Sequence, residues 1–222
     1  MIWHVYNIIC NKHARIGEIM KTETREENLF EYASRQGGYF TAKQAERAGY
    51  SYRLHAYHAD TGRWQKIERG VFRLRSFPAA QRDDLIRLSL WSRNRKDNPQ
   101  FVVSHESALA IHELGDVMPA KLHFSVPPGF RKKVSENIVL HKTKDLDPRD
   151  IETREGFSVT SPLRTLLDAA ESDLDENELE KALRDAMDRG LVRLKQIDVG
   201  EMSENGKLRM LMAIKAVEEK RS

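Results

Sequence analysis

The chain has 222 residues, of which 40% are hydrophobic and 32% are charged, with a net charge of +3 at pH 7. This composition is typical of a soluble globular protein of one or two domains, and no apolar run approaches the ~18–20 residues that a membrane helix needs. A single cysteine, Cys10, excludes an internal disulfide and a cysteine-rich zinc site, so we expect a reducing, cytoplasmic compartment.

The first nineteen residues differ in character from the rest. The opening MIWHVYNIIC has no early positive charge, and His4 and Asn7 interrupt its apolar run, so it does not predict a signal peptide. The first strong helical pattern begins only after Thr24. We therefore expect residues 1–20 to be an extension, either disordered or due to an over-called start, with Met20 as the natural first residue.

Residues 21–78 predict the order helix, short strand, helix, tight turn, helix and hairpin. The first helix covers 26–35 and is followed by the short extended YF. Thr41 caps the second helix and Ser51 caps the third. The segment RWQKIERGVFRLR then forms two short extended runs with a turn at Gly70. Two short helices joined by a turn and followed by a two-stranded ribbon indicate a winged helix-turn-helix domain.

Past Pro78 the pattern changes to that of a mixed α/β domain, at residues 79–222. Helical patterns alternate with three or four strands, among them FVV, KLHFSV and NIVLHK. The expected fold class is therefore α+β, with an N-terminal winged helix-turn-helix domain followed by a mixed α/β domain.

The third helix carries the residues that point to DNA. On a helical wheel Tyr57 and His58 fall on the inner side, Tyr52 and Arg53 fall on the outer side, and His55 lies at the margin. The second helix of a helix-turn-helix enters the major groove with its first residues at the base edges. We therefore expect Tyr52, Arg53 and His55 to read bases. Arg53 is the strongest candidate, because bidentate arginine-to-guanine is the commonest specific contact.

The surrounding segment is strongly basic. From Arg47 to Arg75 there are seven basic residues against two acidic ones, a local net charge of +5. Such a surface attracts phosphates whatever the base sequence. The first amides of the third helix would assist at its start. The residues that we expect to hold phosphates are Lys43, Ser51, Arg69 and Arg73.

Three other patterns suggest a metal site, a catalytic triad or a nuclease site, but each lacks residues or geometry that such a site needs. His55 and His58 are three apart on a helix, but two imidazoles without further ligands do not make a metal site. SHES at 104–107 places Ser, His and Glu together, yet sequence neighbours rarely converge as a triad, and Ser104 is better explained as an N-cap. A nuclease would need acidic metal ligands on adjoining strands, which FVV, LHFSV and NIVLH lack. We expect no enzyme activity, no cofactor and no metal.

The loop PPGFRKKV places Arg131, Lys132 and Lys133 between two strands. Two interpretations stay open. The loop binds phosphates or an acidic partner, or it is simply solvated, as most basic loops are.

The segment GGYFTAKQAERAGYSYRLHAYHADTGRWQKIERGVFRLRSFP resembles the N-terminal domain of AbiEi-type antitoxins of bacterial type IV toxin–antitoxin systems. VVSHESALAIHELGDV and GFSVTSPLRTLLDAAE look like that family's second domain, so the resemblance covers roughly residues 26–195. It implies a repressor that binds inverted repeats in the double-stranded DNA upstream of its own operon. It also implies a nucleotidyltransferase-like toxin as functional partner, often without a stable complex.

We therefore expect a cytoplasmic DNA-binding repressor that acts as an antitoxin. The alternative is a protein-interaction module whose winged helix binds a protein partner without sequence-specific DNA recognition. A third, weaker hypothesis is a DNA-processing enzyme whose site the sequence does not reveal.

Overall fold

The structure, a computed structural model, describes residues 24–144 and 146–220. It divides into two compact units between Trp91 and Ser92. This division lies later than the boundary predicted at Pro78, because the first unit includes nearly all of helix α4 (Asp83–Ser92). The prediction for residues 1–20 falls outside the described part of the chain. Within that part, no helix is long and apolar enough to cross a membrane.

The described part of the first unit contains four helices and a three-stranded antiparallel sheet with the order β1-β3-β2. Its element order, with two short helices followed by a hairpin, is that of the predicted winged helix-turn-helix. The elements are α1 (24–34), β1 (Tyr39–Thr41), α2 (Ala42–Arg47), α3 (Tyr52–Asp60), β2 (Trp64–Glu68), β3 (Val71–Leu74) and α4.

Local sequence explains how these elements begin and end. Thr41 and Gln44 form a capping box at the start of α2, in which each side chain accepts the backbone N–H of the other residue. Gly49 ends that helix with a φ of 97°, a conformation that glycine adopts without steric cost. In the hairpin, β2 is an edge strand and carries a β-bulge between Lys66 and Glu68.

The core of the first unit is aromatic and centred on Trp64. The Trp64 ring centroid lies 4.8 Å from those of Phe40 and His58 and 5.0 Å from that of Tyr50. These contacts join α3, the hairpin and β1 through buried side chains. The position of α3 is therefore fixed by its inner face, and its outer face stays in solvent. The core residues are Leu29, Ala33, Phe40, Ala45, Ala48, Tyr50, Trp64 and Phe72.

The described part of the second unit has a five-stranded mixed sheet with the order β6-β5-β4-β8-β7, parallel at β5/β6 and β4/β8. The sequence predicts only three or four strands. Strand β7 is difficult to predict because its sequence, IET, shows no apolar pattern. The elements are β4 (Val102–Val103), α5 (His105–His112), β5 (Leu122–Val126), β6 (Ile138–Lys142), β7 (Ile151–Thr153), β8 (Ser158–Thr160), α6 (Pro162–Ala170), α7 (Glu176–Asp188) and α8 (Glu204–Glu219).

Helices α5 to α8 enclose the main apolar core of this unit. Pro162 occupies the first turn of α6, where its missing N–H costs nothing, and Ser161 caps the helix. The buried residues include Leu109, Leu166, Leu179, Leu183 and Met210.

Candidate nucleic-acid interface

Helix α3 presents a continuous outer face to solvent. Tyr52 at its start has an exposed fraction of 78%, and Arg53, Ala56 and Asp60 are also exposed. The N-cap residue Ser51 has extended backbone angles, and its side chain makes no capping hydrogen bond. The first N–H groups of a helix have no partner within the helix, so this end offers donors to an anion.

His55 does not lie on that face. It is only 3% exposed, and its Nε2 donates to the carbonyl oxygen of Tyr50 at 3.1 Å. Its ring packs against those of Trp64 and Phe72, with centroid distances of 5.6 and 5.9 Å. The prediction that His55 reads bases is therefore wrong. His55 lies at the margin of the helical wheel, and its side chain faces the hairpin, where the ring is part of the aromatic core.

Tyr57 was expected on the inner side and instead is 56% exposed. The hairpin covers a narrow stripe of α3, in which His55 and His58 are the buried residues. Tyr57 lies beside that stripe, with its ring 5.3 Å from the His58 ring. Sequence reasoning missed Tyr57 because the rotation of a short helix depends on distant contacts. The outer face therefore consists of Tyr52, Arg53, Ala56, Tyr57 and Asp60.

Of the expected phosphate ligands, Lys43 and Arg69 are exposed. Lys43 lies in the first turn of α2, and Arg69 lies at the tip of the β2–β3 hairpin. They therefore lie on two different elements of the first unit, and their contact with phosphates stays a prediction.

Arg73 has another role. Its Nη2 donates to the carbonyl oxygens of Phe77, at 3.1 Å, and Pro78, and its guanidinium lies 5.3 Å from the centre of the Tyr39 ring. These contacts tie the segment after β3 to the sheet. Arg73 therefore has a structural role, and its contact with a phosphate stays a prediction.

Further basic side chains line the same unit. Lys66 and Arg75 are exposed, while Arg63 lies 3.7 Å from Glu26 in a surface ion pair. Such a pair is weak and does not remove the attraction of the surface for polyanions. The positive charge counted in the sequence is therefore largely on the outside of the unit.

The histidines of α3 are structural. His58 is buried and stacks on Trp64, and burial lowers the pKa of His58 below its ordinary value of 6.5, which keeps it neutral near pH 7. No group of three or more metal-ligating side chains suited to an ion is present among residues 24–144 and 146–220.

SHES has a different geometry from that of a catalytic triad. Ser104 is fully buried, and its Oγ lies 2.9 Å from Nδ1 of His105. The His105 ring stacks on His141 with centroids 3.5 Å apart, while Glu106 lies 2.9 Å from Nδ1 of His123. We call His105, His123, His141 and Glu106 the histidine cluster. Ser104 has the predicted N-cap position of α5, but its hydroxyl bonds the histidine rather than the helix.

The first unit thus has the element order of a winged helix-turn-helix, with an exposed outer face of α3 and exposed basic side chains on α2 and the hairpin. Residues 27–75 match the family model described as a transcriptional regulator, AbiEi antitoxin. This match confirms, for that segment, the resemblance found in the sequence.

The fold of most of the chain resembles a solved structure. It is similar to the crystal structure of the RV2827C protein from Mycobacterium tuberculosis, with 13% identity and a TM-score of 0.57. The similarity covers 87% of this chain and 77% of that one. At this identity the likeness is one of fold, and it confirms the predicted α+β class. Among curated proteins, none matches the chain.

Proposed function

We propose that the protein is a DNA-binding repressor of its own operon and the antitoxin of a type IV toxin–antitoxin system in the cytoplasm. The observation that carries DNA binding is the outer face of α3, where Tyr52 and Arg53 stand exposed at the start of the helix. The match of residues 27–75 to antitoxin regulators supports the regulatory role. The resemblance adds a nucleotidyltransferase-like toxin as functional partner, often without a stable complex.

In this proposal α3 enters the major groove. Arg53 presents its guanidinium to the O6 and N7 atoms of a guanine, and Tyr52 contacts the neighbouring base edge. One turn later, Ala56 is small enough to lie against a thymine methyl. Ser51, Lys43 and Arg69 hold phosphates and fix the helix in register.

The first test is binding of the full chain to about 200 base pairs of its own upstream DNA, with random DNA as competitor. We expect a preference for the upstream DNA, and affinity that falls steeply as salt rises, because phosphate contacts release counterions. Arg53→Ala should remove most of the preference. Wild-type binding no tighter than to random DNA would contradict the repressor function.

The alternative function is a protein-interaction module. Tyr52 and Tyr57 favour it, since exposed aromatic residues are enriched at protein interfaces. Absence of any preference for the upstream DNA in the wild type would favour this function, and the double variant Tyr52→Ala/Tyr57→Ala tests whether the two tyrosines belong to a DNA contact. Undiminished preference for the upstream DNA in this variant would place the two tyrosines outside the DNA contact and leave them for a protein partner.

A further inference from the structure

Two basic segments of the second unit lie against each other. One follows α4 and contains Arg93, Arg95 and Lys96, and the other is the 131–133 loop after β5. The Nζ of Lys132 donates to the backbone carbonyl of Arg93 at 2.9 Å, across 39 positions of sequence. We call this surface the second-unit patch, defined as Arg93, Arg95, Lys96, Arg131, Lys132 and Lys133.

The backbone beneath the patch is held by hydrogen bonds and packing. The Oδ1 of Asn94 accepts the N–H groups of Lys96, at 2.9 Å, and Asn98, at 3.1 Å, which closes a tight turn. On the loop side, Phe130 is buried and packs on Phe101 with ring centroids 5.2 Å apart. Both segments therefore present their cations from fixed positions.

Arg93 is neutralised within its own segment. Arg93 donates to the carbonyl oxygen of Asp97 at 2.6 Å and lies 3.6 Å from its carboxylate, which is buried. The side chains of the other five members are exposed. The patch thus offers five solvent-facing cations from two adjoining segments.

The charge of the chain is concentrated in two places. The patch with Asp97 carries a net +5, and residues 47–75 carry another +5, whereas the whole chain carries only +3. The remaining residues therefore carry a net charge of −7. An ordinary solvated surface mixes charges of both signs, while a concentration of positive charge is the electrostatic feature of a site for a polyanion.

We propose that the second-unit patch contacts the phosphate backbone of duplex DNA bound by this protein. The choice of DNA as ligand rests on the function proposed above, but the residues are separate from those of α3. Lysine and arginine contacts to phosphate add affinity without reading bases. The patch would therefore raise the affinity for all duplexes and leave the sequence preference to α3.

The test compares two full-length triple variants. The patch variant is Lys96→Gln/Arg131→Gln/Lys133→Gln, and the control is Arg193→Gln/Lys195→Gln/Lys215→Gln, whose residues are exposed and belong to the second unit outside the patch. Each removes three positive charges and takes the net charge from +3 to zero, so long-range attraction changes equally. Binding to upstream and random duplexes is measured from about 50 to 200 mM salt.

We expect the patch variant to bind both duplexes more weakly by a similar factor. Its slope of log affinity against log salt should be smaller by about 2–3, because each lost phosphate contact contributes ~0.9. The control should keep the wild-type slope, and equal urea midpoints will show that both variants are folded.

A patch variant that behaves like the control would overturn this inference and leave the repressor proposal intact. If the wild type shows no sequence preference but the patch variant still has the smaller salt slope, the repressor proposal is overturned and the inference about the patch stands. Absence of DNA binding by the wild type would overturn both.

Discussion

Arg53 and Arg69 are both exposed cations, and the proposed function gives them different contacts with DNA, a base for Arg53 and a phosphate for Arg69. Arg53 stands in the first turn of α3, and Arg69 stands at the hairpin tip. We expect Arg53→Ala to cost about 1–3 kcal/mol on the operator and to relax the preference at one base position. Arg69→Ala should weaken all duplexes alike and lower the salt slope by about 1. Competition binding with base-substituted operators measures both effects, and equal losses on operator and random DNA for Arg53→Ala would contradict the assignment.

The core position of His55 leads to a second prediction. His55→Ala removes a buried ring that contacts Trp64 and the hydrogen bond to Tyr50. We expect it to lower the free energy of unfolding of the first unit by about 2–4 kcal/mol, as do other large-to-small changes in a core. The exposed Tyr52→Ala is the control and should change stability by no more than about 0.5 kcal/mol. Urea unfolding followed by circular dichroism tests this, and unchanged stability with altered base preference would restore the first expectation for His55.

The histidine cluster predicts a pH dependence of stability. Burial, with a contribution from His141, lowers the pKa of His105 to about 3, against 6.5 in the unfolded chain. The neutral form is therefore required by the fold. The stability that it contributes is fully present above about pH 6.5 and is lost as the pH falls toward about 3. Glu106, His123 and Arg164 also face His105, and burial lowers the pKa of His141 as well.

We expect the free energy of unfolding of the second unit to be smaller at pH 5 than at pH 7.5. His105→Gln should flatten this difference, by at most about 1.4 kcal/mol per pH unit for one group. The titration of Glu106 contributes little to the difference in stability between pH 5 and pH 7.5. Burial alone would raise the pKa of Glu106, but the adjacent His123 and a backbone N–H lower it to about 2, so its own loss of stability falls between about pH 4.5 and 2. A variant with the same pH dependence as the wild type would refute the assignment to His105.

Among the elements, those of the first unit could be predicted almost residue by residue. The cap at Thr41, the turn glycines and the two extended runs of the hairpin are local signals, and each lies where the sequence placed it. The faces of α3 could not be predicted equally well. The exposure of Tyr57 and the burial of His55 depend on Trp64 and Phe72, which belong to the hairpin that follows. A nine-residue helix is too short for periodicity to fix its rotation.

Two glycines in the first unit give a matched test of local strain. Gly38 has a φ of +87°, and a Cβ there would lie 2.4 Å from the Cβ of Phe77. Gly70 has a similar φ of +76°, but nothing lies within 4 Å of its added Cβ. Gly70→Ala should therefore cost only the left-handed backbone penalty of about 1–2 kcal/mol. Gly38→Ala should lower the free energy of unfolding by clearly more, as measured by urea unfolding. Equal losses for the two variants would show that the segment around Phe77 shifts to make room for the added Cβ.

At the scale of the whole molecule, the α+β class follows from the order of the patterns. The likeness to the mycobacterial structure over 87% of the chain confirms it. The sequence did not show that residues 93–96 and 131–133 meet, because β4, α5 and β5 separate them and neither segment has periodicity. The weak fifth strand was missed for a related reason, since β7 is defined by its pairing with β8 rather than by its composition.

The bulged edge strand β2 has a consequence for behaviour at high concentration. An edge strand exposes unpaired backbone groups, which invite a strand from another copy. Here the bulge at Lys66–Glu68 breaks the regular spacing of those groups, and the exposed charge of Lys66 repels a second identical edge. The hairpin is thereby protected from strand exchange and aggregation in a crowded cell.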